Sequence, residues 1–344
     1  MSMTTQQSVL LFGGNSDERL VSVASSQNLS TQYTFSELWY FHPNGSITKT
    51  DLQELSAHQR PFETEFKPKG SPFAKSLKEA LPQLKGKAVF LGFHGTEGED
   101  GQMQAMLEEV AIPFTGSGSI ASALCFDKLQ AKEIVARAGI PTASHILVDA
   151  KQGEAVGKKL TEFFDKHSRI VVKPVASGSS FGLFIVTNRE ILKKAIDGIK
   201  SLPYGKFLAE TFVEGRELTV GVWDKLEGST ALPASEVVMN AGHSFDYEGK
   251  YLGRGSTEIT PAQLKPEEMK RAQEIAVKAH RALSCYGYSR TDMILTSNGP
   301  VYLETNTLPG MTKASFYPQQ LQAAGSEMRP FIESQIELAL RRYR

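Results

Sequence analysis

The apolar and polar positions fall into short blocks whose period changes along the chain. Ser8-Val-Leu-Leu-Phe-Gly-Gly14 opens as a strand, a helix is expected after Asn15-Ser16, and Tyr33 to His42 reads as a second strand. Residues 44–86 are rich in turn formers and weakly patterned, so no element is assigned there. Ala88 to Phe93 has the continuous apolar character of a buried strand. It runs into the glycine-rich turn His94-Gly-Thr-Glu-Gly-Glu-Asp-Gly101, with a helix over 102–111 behind it. Strands alternating with helices, with loops at the strand C-termini, predict a parallel α/β domain.

Further on, Asp127-Lys128 opens a helix that Gly139 and Pro141 stop near Ala138. A strand at 144–148 and a helix over 151–166 precede the strand Arg169-Ile-Val-Val-Lys173. Pro174-Val-Ala-Ser-Gly-Ser-Ser-Phe-Gly182 leads to another strand and a helix near 188–200. Lys206 to Glu210 and Glu217 to Val222 read as paired strands around Val213-Glu-Gly-Arg216. From Ala231 the chain is strand-like, then enters a polar loop from Met239 to Thr260. A helix over 266–283, a hairpin from Arg290 to Gly310 and a charged amphipathic helix over 329–342 complete it. No internal repeat or low-complexity tract interrupts the pattern.

The hairpin places hard oxygen ligands among apolar strand residues. Alternate side chains share a face, so Arg290 and Asp292 lie together, as do Glu304 and Asn306. If Ser297-Asn298-Gly299 is a three-residue loop with Gly299 left-handed, Thr296 pairs with Pro300 and Asp292 faces Glu304. A two-residue Asn-Gly turn would shift the register by one and separate the carboxylates. The convergent register sets Asp, Glu and Asn on one surface beside a cation, which suits Mg²⁺ or Mn²⁺ bridging phosphates.

Composition narrows the setting. The chain has 344 residues, room for two or three compact domains, and 38 basic residues balance 38 acidic ones. Nothing therefore marks a nucleic-acid or acidic-membrane partner. No apolar run approaches the roughly 20 residues that span a bilayer. The start, Met-Ser-Met-Thr-Thr-Gln-Gln-Ser, lacks the pattern of a secretory signal, and a cytoplasmic location is expected. Cys125 and Cys285 fit no metal-type spacing and read as buried thiols.

There is no GxxxxGK[ST] loop and no GxGxxG after a strand. Instead Ser177-Gly-Ser-Ser-Phe-Gly182 follows Lys173, and small residues there let backbone N–H groups cradle phosphate oxygens. Glu210, Val213 and Glu217 could present backbone groups to an adenine edge and a carboxylate to ribose hydroxyls. In order along the chain stand Lys128, Lys173, the Gly/Ser loop, Glu210 to Glu217, then Arg290, Asp292, Glu304 and Asn306. With His94 to Gly101, Ala123 to Lys128, Val172 to Gly182, Phe245-Asp-Tyr-Glu-Gly-Lys-Tyr251 and Glu304-Thr-Asn-Thr-Leu-Pro-Gly310, the chain resembles the ATP-grasp superfamily. Within it, the resemblance is to the D-alanine–D-alanine ligase family, over nearly the whole length.

That resemblance implies an N-terminal parallel α/β domain (residues 1–122) and a two-lobed ATP-grasp fold. The lobes are expected over residues 123–211 and 212–344, the second carrying a lid loop over 239–260. Lys128, Lys173 and Ser180 would contact ATP phosphates, Glu210 and Val213 the adenine, with Phe212 and Ile294 as apolar walls, and Glu217 the ribose. Asp292, Glu304 and Asn306 would hold two Mg²⁺ or Mn²⁺ ions. Glu18, linked to Ser179 and to Tyr251 on the lid, would take the first D-alanine's ammonium near His94. Arg290 and the Gly310 N–H would stabilise an oxyanion, while Ser315 and Lys250 would bind the second substrate's carboxylate. Leu20 departs from the family's motif, where a carboxylate is usual.

The implied activity is ATP-dependent joining of two D-alanines through an acyl phosphate, for peptidoglycan precursors, by a homodimer. Two alternatives stay open: a related ligase with D-lactate, D-serine or another amino acid as acceptor, and a non-catalytic nucleotide-binding regulator.

Overall fold

A computed structural model of the chain describes residues 7–178, 181–239 and 256–343. Three sheets organise it. In the first, β1 (Ser8–Gly13) lies between β2 (Glu37–Phe41) and β4 (Ala88–Leu91), parallel to both, and β3 (Ile47–Thr50) adds antiparallel to β2. Every residue of β1 is buried, as expected of a central strand covered on both faces. The strand ends at Gly13, whose φ is +104°; a Cβ there would lie 2.4 Å from the Phe41 carbonyl oxygen. Only glycine fits that turn, and the turn delivers the chain to Glu18.

The second sheet has the order β5 (His145–Asp149), β8 (Lys206–Thr211), β6 (Ile170–Pro174), β7 (Phe184–Val186), with neighbours antiparallel. The helices Glu154–His167 and Arg189–Ser201 close its core through Leu160, Phe164, Leu192 and Ile199. The third sheet runs β12 (Ser256–Ile259), β11 (Ser235–Met239), β9 (Arg216–Lys225), β13 (Tyr288–Thr296), β14 (Gly299–Asn306), with β10 (Gly228–Ala231) paired to β9. The helix Pro266–Ala282 covers one side of it through Ala272 and Ala276. The helices Ser119–Phe126 and Lys128–Arg137 pack beside Tyr302.

The first and third sheets share one apolar core, whereas the second keeps its own. Phe90 of β4 stacks on Tyr288 of β13, and Phe331 of the helix Met328–Arg342 meets Tyr288 with ring centroids 5.3 Å apart. Full burial of a side chain such as Phe331 contributes about 1.5–3 kcal/mol. This seam fixes the β1 turn against the hairpin that carries Asp292.

Three expectations need correction. Lys206–Glu210 and Glu217–Val222 do not pair: β8 bonds to β5 and β6, and β9 to β10, β11 and β13. Val213 to Gly215 is a crossing between two sheets, so close over β13 that a Cβ on Gly215 would sit 2.3 Å from the Leu295 carbonyl oxygen. The polar segment also ends before Thr260, because Ser256 to Ile259 forms β12 against β11.

The hairpin brings Asp292 opposite Glu304 by a different route. The turn is two residues, Ser297-Asn298, since Thr296 pairs with Gly299. The slip this causes is cancelled by a bulge between Asp292 and Met293, where Leu303 is the extra residue on β14. Gly299 does have a positive φ, +116°. In the unassigned stretch 44–86 lie β3 and the short helices Leu52–Ala57 and Leu77–Ala80. With only four to six residues each, they are too short to display a period.

Candidate active site

A cavity of about 840 Å³ opens between the second and third sheets and reaches the turn after β1. At one end the crossing from β8 to β9 presents Phe212, Val213 and Glu217 to it, with Ile294 as register neighbour of Glu217. Arg169 stacks on Phe212, its guanidinium carbon 4.0 Å from the ring centroid. Glu210, at the end of β8, is buried between two lysines: Lys173 Nζ is 3.0 Å from one carboxylate oxygen and Lys132 Nζ 2.8 Å from the other. Burial pushes the Glu210 carboxyl up, but Lys173 and Lys132 more than reverse this, leaving it below its ordinary value. Burial also works against the Lys173 charge, and Glu210, Glu304 and Asp292 outweigh it, so that pKa lies above normal. Lys128, at the start of its helix, donates to the Ser177 carbonyl at 2.7 Å and stands 3.5 Å from Glu304.

The middle of the cavity is the hairpin face. Asp292 and Glu304 are cross-strand neighbours, and Asn306 lies two residues beyond Glu304 on the same face. Arg290 donates to both Asp292 oxygens through Nε and Nη2, each at 2.9 Å, and the Thr219 hydroxyl donates to Asp292 at 2.5 Å. The Asn306 side-chain oxygen accepts from the Leu308 N–H at 2.7 Å. Among the described residues no three His, Cys, Asp or Glu side chains gather as a metal cage. Two carboxylates and an amide oxygen, all hard donors with further lone pairs, nonetheless fit a divalent ion that takes its other ligands from phosphates and water.

At the far end, Glu18 precedes the helix Arg19–Gln32 and is buried. Its carboxylate lies so close to Gly95 and Gly178 that a Cβ on either would come within 2.9–3.0 Å of it. His94 uses both ring nitrogens. Nδ1 donates to the Leu308 carbonyl at 2.9 Å, and Nε2 accepts from the Ser25 hydroxyl at 2.7 Å, the roles a carbonyl partner requires. Burial, helped by Arg290, holds this imidazole below its ordinary pKa despite Glu18. Glu99 is pushed up to about 8 by burial first and by Glu18 second, while the Gly95 N–H, Arg290 and Lys128 oppose the rise. Gly310 and Ser315 close this end: a Cβ on Gly310 would lie 2.7 Å from the Ser315 hydroxyl, which also bonds Thr312 at 2.8 Å.

Every sequence-expected site residue that the structure describes therefore lines one cavity, from Glu18 through Lys128, Glu210 and Arg290 to Ser315. Ser179, Ser180, Lys250 and Tyr251 lie outside the described residues. Sequence reasoning passed over Lys132, Glu99, Thr219 and Arg169. Lys132 had a signal, standing one helical turn after Lys128, and Glu99 sits inside the quoted glycine-rich turn.

Family models for the D-ala D-ala ligase N-terminus and C-terminus match residues 7–117 and 134–337. The chain is 37% identical over 352 residues to the D-alanine–D-alanine ligase of Leptospira interrogans, covering 97% of this chain and 98% of that protein. The crystal structure of the VanG D-Ala:D-Ser ligase from Enterococcus faecalis has a TM-score of 0.83 at 29% identity, covering 98% of this chain and all of the other. The D-alanine–D-alanine ligase from Bacillus anthracis complexed with ATP has a TM-score of 0.74 at 25% identity, covering 99% of both chains.

Proposed function

The chain belongs to the D-alanine–D-alanine ligase family, and on that premise we propose that its cavity joins two D-alanines at the expense of ATP. The observation that carries this is the convergence of lysines, carboxylates, Arg290 and Ser315 on a single cleft. The product is D-alanyl-D-alanine, a precursor for peptidoglycan.

A carboxylate resists attack by an amine because oxide is a poor leaving group. Transfer of the γ-phosphoryl group to the first D-alanine turns that oxygen into phosphate. Glu18 takes the substrate's ammonium and holds it so that the carboxylate points toward the phosphates. Lys128 and Lys173 neutralise charge on the transferring group, where catalysis is mainly positioning and electrostatics. Asp292, Glu304 and Asn306 would hold Mg²⁺ or Mn²⁺, which supplies further neutralisation at the phosphates. The second D-alanine, its carboxylate near Ser315, attacks the acyl carbon through its amine. Arg290 and the Gly310 N–H receive the oxyanion of the tetrahedral adduct, and collapse releases phosphate. Donors of that kind are worth about 10²–10³ each in rate. Roles for Ser179, Ser180, Lys250 and Tyr251, and a lid that keeps water from the acyl phosphate, rest on the family resemblance.

The second sheet's own core supports reading it as a separate lobe, and the division into three domains with seams near 122 and 211 rests on the family resemblance. A homodimer and a cytoplasmic location belong to the same proposal. No helix among the described residues is long and apolar enough to cross a membrane. The likeness to a D-Ala:D-Ser ligase keeps D-serine as the second reading for the acceptor. Phosphate release with ATP and Mg²⁺ against a panel of D- and L-amino acids and D-lactate tests both. Release with D-alanine alone supports the first reading, release that requires D-serine beside D-alanine moves it to the second, and no amino-acid-dependent release sinks both.

A further inference from the structure

Lys132 has no exposed surface, which is rare for a lysine. Its helix, Lys128–Arg137, packs with Tyr302 and Leu283 against the third sheet, yet its ammonium crosses to Glu210 at the end of β8 in the second. The contact is 2.8 Å long but lies off the hydrogen-bonding direction, so it acts as a charge contact. Lys173 holds the other Glu210 oxygen and also faces the cavity. The two lysines are therefore unequal. Lys173 can turn to a phosphate; Lys132, enclosed on all sides, cannot. When nucleotide enters and Lys173 is drawn to it, the Lys132 charge is the one that stays with Glu210.

We propose that Lys132 is a positioning residue that keeps Glu210 an oriented anionic acceptor for the exocyclic amine of a 6-aminopurine, and so sets the base preference of the cleft. An anionic carboxylate accepts from an amine but faces the carbonyl of a 6-oxopurine with acceptor against acceptor. The balance at Glu210 agrees with this, since the two lysines overcome its burial. Burial, joined by the neighbouring Lys173 charge, holds Lys132 itself below its ordinary pKa, and Glu210 and Glu304 oppose that fall. The inference rests on the nucleotide-binding part of the proposed function and is tested without the amino-acid substrates.

Calorimetric dissociation constants for ADP and for inosine diphosphate, each with Mg²⁺, separate the possibilities. The parent is expected to favour ADP by about tenfold or more, the scale of a hydrogen bond to a charged acceptor. Lys132→Met should weaken ADP about tenfold and leave inosine diphosphate nearly unchanged, bringing the ratio toward one. Glu210→Gln should also lower the ratio, since an amide can present either a donor or an acceptor. The decisive comparison is the double variant K132M/E210Q, whose ADP affinity should match E210Q alone within about threefold if Lys132 acts through Glu210. This pair removes the Lys132 and Glu210 charges together, and Lys173 keeps the Glu304 and Asp292 charges near it, so the comparison avoids the lone loss of one buried partner that K132M carries. Equal weakening of both nucleotides by K132M, or an effect that adds fully to E210Q, overturns the proposal. A parent that binds neither nucleotide overturns the nucleotide reading itself, and this inference with it.

Discussion

Replacing Arg290 with alanine tests the division of labour on the hairpin. Arg290 is held in plane by two 2.9 Å bonds to Asp292, and both side chains are less than one-fifth exposed. Its cost therefore has two parts. Loss of a fixed donor at the oxyanion should lower kcat by about 10²–10³, or roughly 2.7–4 kcal/mol. Loss of the ion pair lies between the 3–5 kcal/mol of breaking a buried pair and the 0.2–1 kcal/mol of an exposed one. We expect about 2 kcal/mol, because Asp292 keeps its bond from Thr219. That predicts a Tm lower by about 3 °C. ADP formation at saturating D-alanine gives kcat, and calorimetry gives the ATP dissociation constant, which should stay within about threefold of the parent. Arg290→Lys, which keeps the charge but loses the two-pronged geometry, should fall between. A kcat for R290A within threefold of the parent would refute the oxyanion role.

Three further outcomes follow from the geometry. Glu304→Gln should abolish turnover while far-ultraviolet circular dichroism stays unchanged; wild-type-like rates would remove Glu304 from the metal set. Gly215→Ala forces a Cβ to within 2.3 Å of the Leu295 carbonyl and should cost about 1–3 kcal/mol in denaturant unfolding, with weakened ATP binding; an unchanged midpoint would mean the β8 to β9 crossing yields easily. Glu99 ionises near 4.5 in an unfolded chain and near 8 when folded, so between those values the folded protein holds a proton the unfolded chain has released. Its contribution to stability declines as pH rises through that window. The Tm of Glu99→Gln, which cannot ionise, should gain on the parent between pH 5 and pH 8, and a constant difference would contradict the raised pKa.

Most of the site could be read from the chain because its residues stand at strand ends and in glycine turns, where local pattern is strong. Asp292 and Glu304 were expected to face each other, and they do, yet through a bulge at Leu303 that neither turn chemistry nor alternation announces. A bulge and a shortened turn have opposite effects on register, so their sum looks like the simpler three-residue loop. The pairing of β8 with β9 failed for another reason. Two adjacent apolar runs joined by a glycine look like a hairpin, and only the packing of Gly215 against β13 reveals a crossing between sheets. Lys132 escaped notice because a buried lysine and a solvated one look alike in a helix until the partner on another sheet is known.

The central claim is that this cleft activates the D-alanine carboxylate by phosphoryl transfer before an amine attacks. D-alanine labelled with ¹⁸O in both carboxylate oxygens, incubated with the protein, ATP and Mg²⁺, tests it directly through mass spectrometry of the released phosphate and the dipeptide. One labelled oxygen should appear in each phosphate for every D-alanyl-D-alanine formed. Dipeptide formed with unlabelled phosphate would contradict it.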